Sequence, residues 1–108
     1  MTVEKLANTI DCRILSLPDK DRETEGVYIG DLLSWVMGRA ECGNVWITIM
    51  SNINTVAVAT LADVSCILLA EGVTLDAEVL NTAIAKGVNV LSSDLSAYEL
   101  ATRLCGIL

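Results

Sequence analysis

The chain has 108 residues, one domain's length, and its 53% apolar against 19% charged content is too apolar for a disordered polymer. The formal charge of −7, with seven scattered cations and no basic cluster, argues against nucleic acid and anionic membranes as partners. Histidine is absent, and no two of Cys12, Cys42, Cys66 and Cys105 have metal-knuckle spacing, so no metal site and no histidine-based catalytic dyad is expected.

From the amino end, Val3, Leu6, Ala7 and Ile10 recur at helical spacing, and Thr2 is placed to cap that helix. A short strand follows near Cys12 to Leu15. The segment LPDKDRETEG, with the only proline (Pro18) and Gly26, predicts an exposed loop. Val27 to Ile29 reads as a brief strand. Gly30-Asp31 then opens a helix to about Gly38, with Asp31 where a carboxylate favours a helix start. On that helix Leu32, Leu33, Trp35, Val36 and Met37 span an arc of about 200°, wider than a small domain readily covers by itself.

The remainder repeats one unit three times: VWITI (45–49) and a helix in NINTVAVATLA, CILLA (66–70) and a helix in TLDAEVLNTAIAKG, VNVLS (88–92) and a helix in SAYELATRLCGIL. Continuous apolar strands alternating with helices predict a parallel sheet buried on both faces. Ser96 and Glu99 have capping-box spacing, Thr74 and Asp76 start the middle helix, and Gly87 ends it. The uncharged run from Cys42 to Ala62 has the length of a membrane span. Asn44, Ser51, Asn52 and Asn54 within it fit a buried strand, a polar turn and a buried helix better. Glu4 and Lys5 interrupt any secretory leader, so a cytoplasmic location with reduced thiols is expected. The fold class expected is therefore α/β, a single small three-layer domain over 1–108 with a mostly parallel sheet and flanking helices.

Ligands of open parallel sheets bind beyond the carboxyl ends of the strands. Here those ends carry Ser51, Asn52 and Asn54, then Glu71 beside Gly72, then Ser92, Ser93 and Asp94. They form the candidate ligand site, although each residue type also serves as an ordinary cap or turn. Two further surfaces stand out. One is the charged loop around Asp21, Arg22 and Gly26. The other is the wide apolar arc with Tyr28, Leu32, Trp35, Val36 and Met37, a candidate dimer interface. No phosphate loop, dinucleotide fingerprint or nucleophile elbow is present, and no cofactor is expected.

Together these stretches resemble the DRTGG-domain family. The resemblance rests on Asp21-Arg22 with Gly26 (DRETEG), GVYIGDLLSWVMGRA (26–40), WITIM (46–50), the Asn-Thr-Val-Ala-Val-Ala run (54–59) and LSSDLSAYELA (91–101). Glu23 to Glu25 depart from the namesake motif. The resemblance implies an α/β domain similar to the N-terminal domain of HPr kinase/phosphorylase, in a regulatory or dimer-forming role. The function expected is a non-catalytic regulatory module, homodimeric and sensing a small ligand. The alternatives are a nucleotide or phosphometabolite sensor and, without a phosphate loop to support it, an HPr serine kinase-like enzyme fragment. A protein partner also fits such a module.

Overall fold

The computed structural model describes all of residues 1–108. In chain order the elements are α1 (Val3–Thr9), β1 (Arg13–Ser16), β2 (Val27–Ile29), α2 (Leu33–Arg39), β3 (Val45–Thr48), α3 (Ile53–Ala62), β4 (Cys66–Leu69), α4 (Ala77–Ala85), β5 (Val90–Ser92) and α5 (Ala97–Cys105). The strands form one sheet in the order β1-β5-β4-β3-β2. β2 to β5 run parallel, and β1 joins β5 antiparallel with a bulge between Ile14 and Ser16.

The three strand-helix repeats generate this sheet directly. β3, β4 and β5 are buried along their whole length, as continuous apolar strands demand. Their side chains alternate between two cores. Val45, Ile47, Cys66, Leu68 and Leu91 pack under α1 and α5, whereas Trp46, Ile67, Leu69 and Val90 pack under α2, α3 and α4. The chain crosses the sheet in one direction from β2 to β5. Crossovers of constant hand therefore leave α2, α3 and α4 on one face, and α1 and α5 cover the other.

The caps follow the sequence. Thr2 Oγ1 accepts from Lys5 N, Asp76 from Val79 N, and Ser96 with Glu99 closes a reciprocal capping box. Gly87 takes the left-handed backbone (φ +73°) that ends α4. Asp31 is the exception. It does not cap α2, whose N-cap is Leu32 without a side-chain hydrogen bond. Its carboxylate instead accepts from Thr48 Oγ1 at 2.8 Å and Ile49 N at 3.1 Å. The parallel pairing of β2 with β3 brings Asp31 beside the end of β3, where the buried Thr48 hydroxyl needs an acceptor. No helix is long and apolar enough to cross a membrane, and the Cys42 to Ala62 run divides into β3, a polar turn and α3.

Candidate functional site

The carboxyl ends of the parallel strands form one edge of the molecule. There the chain between β5 and α5 wraps against the turn after β4. Glu71 and Gly72 are both left-handed (φ +61° and +74°), a tight reversal. Their N–H groups donate to Leu95 O at 2.9 Å and Ser93 O at 2.8 Å. A Cβ at Gly72 would lie 3.2 Å from Asp94 Oδ1, so this loop needs a glycine there.

Arg13 opens β1 directly opposite Ser92, the last residue of β5. Its Nη2 donates to Asp94 Oδ1 at 2.9 Å and Ser92 Oγ at 3.2 Å, while the Ser92 hydroxyl donates to Val73 O at 2.7 Å. The Arg13 guanidinium holds the Asp94 carboxyl below the ordinary aspartate value, chiefly through this hydrogen bond. The contact therefore persists above the ordinary aspartate range and is lost only as the pH falls through the lowered value. Next to it lies a cavity of about 250 Å³, framed by Ile10 and Asp11 after α1, Arg13, Ser92 to Leu95, and Arg103 from the last turn of α5.

The structure thus brings Ser92, Ser93 and Asp94 together at a cavity, with Glu71 joined to the same loop through its backbone. Ser51, Asn52 and Asn54 lie beyond β3, two strands from β5, and do not line it. Asn52 is the N-cap of α3, its Oδ1 accepting from Asn54 N at 2.9 Å and Thr55 N at 3.2 Å, which occupies the helix end that could otherwise attract an anion. Arg13, Asp11 and Arg103 escaped the sequence reading. Asp11 precedes the antiparallel edge strand, Arg13 opens it, and Arg103 is 90 residues beyond Arg13, so only strand pairing and helix docking unite them.

The namesake-motif loop has a different position. Gly26, Asn44 and Asp63 all precede parallel strands, so Arg22 works at the amino edge of the sheet, opposite the cavity. Its guanidinium donates to Asp63 Oδ1 at 3.0 Å and Asp63 O at 2.9 Å. Asp63 is the left-handed C-cap of α3 (φ +55°), and the Cys42 thiol also donates to its Oδ2 at 3.0 Å. Thr24, between two glutamates, is buried and donates to Met1 O at 2.7 Å. Gly26 has φ +71°, and a Cβ there would approach Asn44 Nδ2 to 3.2 Å. Asp21 forms no side-chain hydrogen bond or ion pair; the loop is fastened through Arg22, Thr24 and Gly26. Arg22→Ala is expected to lower stability by about 1–2 kcal/mol, because it removes two charge-assisted bonds from a helix end. A urea midpoint unchanged from the wild type would show that the clamp contributes nothing.

The candidate interface divides as well. Val36 is fully buried against the sheet and cannot contact a partner, and Tyr28 is half-buried over the same core. Leu32, Trp35 and Met37 remain 58%, 52% and 51% exposed, and Arg39 lies 3.7 Å over the Trp35 ring. Val36 faces inward because α2 packs on α3, so the wide arc belongs half to the core and half to the surface. Among the thiols, burial pushes Cys66 up to about 12 and Cys12 up to about 11. A hydrogen bond to Asp63 raises Cys42. These environments oppose thiolate chemistry. No three acidic or cysteine side chains converge as metal ligands.

A mixed five-stranded sheet, parallel but for one edge strand and covered by helices on both faces, defines a three-layer α/β domain. Within that class the chain belongs to the DRTGG domain family, whose sequence profile matches residues 5–106. The fold is shared with the CBS and DRTGG domains of the regulatory region of Clostridium perfringens pyrophosphatase, a structure solved with its activator diadenosine tetraphosphate. The two superpose with a TM-score of 0.76 at 12% identity, over 95% of this chain and 45% of that one. The chain thus spans less than half the length of that relative. No curated protein matches the sequence significantly.

Proposed function

We propose that the chain is a non-catalytic regulatory module that senses a small phosphorylated or nucleotide ligand at the carboxyl edge of the sheet and works as a homodimer. The observation that carries the sensing role is the cavity where Ser92, Ser93 and Asp94 meet Arg13. Its setting beyond parallel strand ends is where α/β domains bind ligands. The similar fold in a pyrophosphatase regulatory region bound to a nucleotide activator supports the same reading. A thermal-shift panel of diadenosine tetraphosphate, adenine mononucleotides and sugar phosphates tests it. A bound ligand at a hundredfold excess over Kd adds about 2.7 kcal/mol of stability. A flat response to the whole panel removes the sensing role. ATP turnover above background would instead favour the kinase-fragment alternative.

The dimer reading rests on the contrast between the two sheet edges. β1 is blunted by its bulge and by Arg13. β2 carries only Val27, Tyr28 and Ile29, with no charge, bulge or proline to block pairing. Gly26 O and Gly30 N turn inward to β3, so alternation leaves the backbone groups of Val27 and Ile29 facing outward. The exposed side chains of Leu32, Trp35 and Met37 continue this apolar edge. A two-fold axis beside β2 and normal to the sheet would pair the strand antiparallel with its copy and bring the two α2 surfaces together. Light scattering is expected to give twice the chain mass of 11.5 kDa. Trp35→Glu, which leaves the core intact, is expected to halve that value. A monodisperse wild-type monomer would eliminate the dimer.

A further inference from the structure

Within the sensing role just proposed, on which this inference rests, the donors at the cavity outnumber its acceptors. Arg13 uses only Nη2, so its Nε–H and both Nη1 hydrogens have no protein partner. Arg103 makes no hydrogen bond or ion pair, leaving a complete guanidinium fork free at the rim. The Ser93 hydroxyl accepts from Leu95 N at 3.1 Å and has its own hydrogen free. Against these stand two carboxylates. Asp94 and Arg13 compensate each other's charge at 2.9 Å, which leaves Arg103 as the unpaired cation and Asp11 as the unpaired carboxylate, while the unused N–H groups of Arg13 remain as donors.

We infer that this cavity takes the phosphate of a phosphorylated sugar, with Arg103 and the free side of Arg13 holding the phosphate oxygens and Asp11 accepting from a sugar hydroxyl. Paired guanidinium forks match the tetrahedral oxyanion. A lone carboxylate in a donor-rich cavity suits a ligand that is anionic at one end and a hydroxyl donor at the other. Ile10 and Leu95 supply the apolar wall for the sugar ring. The volume of about 250 Å³ lies below the roughly 300–1,000 Å³ of sites that enclose drug-sized ligands. It therefore accommodates a single sugar phosphate, or that part of a larger nucleotide. The N-terminus of α5 nearby does not compete, because Ser96 and Glu99 already close it.

Titration of the isotope-labelled chain with ribose 5-phosphate, followed by amide chemical shifts, tests the assignment. The expected result is movement confined to residues 10–13, 92–95 and the last turn of α5, with tighter binding than inorganic phosphate and none by ribose. Arg103→Gln, at an exposed position without protein partners, is expected to weaken binding about tenfold or more while leaving the melting temperature unchanged. Arg103→Lys, which keeps the charge but loses the fork, is expected to fall between the two. Shifts at residues 51–54 or between α3 and α4, or equal affinity in Arg103→Gln, would overturn the assignment. If ribose 5-phosphate is silent while another member of the thermal-shift panel stabilises the domain, the site falls and the sensing role stands. If the panel is silent too, both fall.

Discussion

Replacing Trp46 with alanine is expected to lower the unfolding free energy by about 3–5 kcal/mol, the range for truncating a large buried aromatic. Trp46 heads the fully buried side chains of the domain. It projects from the middle of β3 into the core under α2, α3 and α4. Its indole N–H donates to Gly30 O at 2.8 Å, which fixes the chain where β2 gives way to α2. Alanine would leave a cavity the rigid sheet cannot fill, together with an unpaired carbonyl at that junction. A domain of this size has about 5–15 kcal/mol of total stability, so the variant would be marginal. The melting temperature is expected to fall by about 15–20 °C, followed by far-ultraviolet circular dichroism. Trp46→Phe, which keeps most of the volume but loses the N–H and part of the ring system, should recover part of the loss. A Trp46→Ala protein that melts with the wild type would contradict the packing described here.

The second large effect is expected at Asn89. This side chain is buried just before β5 and satisfies three partners at once. Its Nδ2 donates to Asp19 O at 2.7 Å and Ser65 O at 3.0 Å, and its Oδ1 accepts from Asp19 N at 3.0 Å. The amide thus bonds the Pro18 loop to the starts of β4 and β5. Asn89→Leu conserves volume but strands the Ser65 carbonyl in the interior, and each buried unpaired group costs about 1–3 kcal/mol. A loss of about 3 kcal/mol is expected in denaturant unfolding, with faster proteolysis within 17–25, because that loop loses its anchor. Unchanged unfolding and unchanged proteolysis would show that water replaces the amide at no cost.

Both positions bear on how the domain divides its work. The namesake-motif loop and Asn89 belong to the amino edge of the sheet, where Arg22 clamps the end of α3 and Gly26 enters β2. The cavity belongs to the opposite edge, separated by the length of the strands, about 10 Å. The loop that gives the family its motif makes structural contacts in this chain through Arg22, Thr24 and Gly26. Of the departing residues Glu23 to Glu25, the two glutamates are exposed, whereas Thr24 between them is buried and bonded to Met1.

The sequence by itself determined the elements, their types, the caps at Thr2, Asp76 and Ser96, and the mostly parallel sheet. These follow from local periodicity and from side chains that bond to backbone within a few residues. It also singled out one edge, because strand direction places the carboxyl ends of the four parallel strands together. Asp31 was misread for the converse reason: its partners, Thr48 and Ile49, come from a neighbouring strand rather than from its own helix. Only the tertiary structure decided that Val36 turns inward while Trp35 stays exposed, since the neighbours of α2 set that boundary. It alone joined Arg13 to Asp94 across 81 residues and brought Arg103 to the same cavity. Such contacts depend on strand order and helix docking, which the pattern of one segment does not encode.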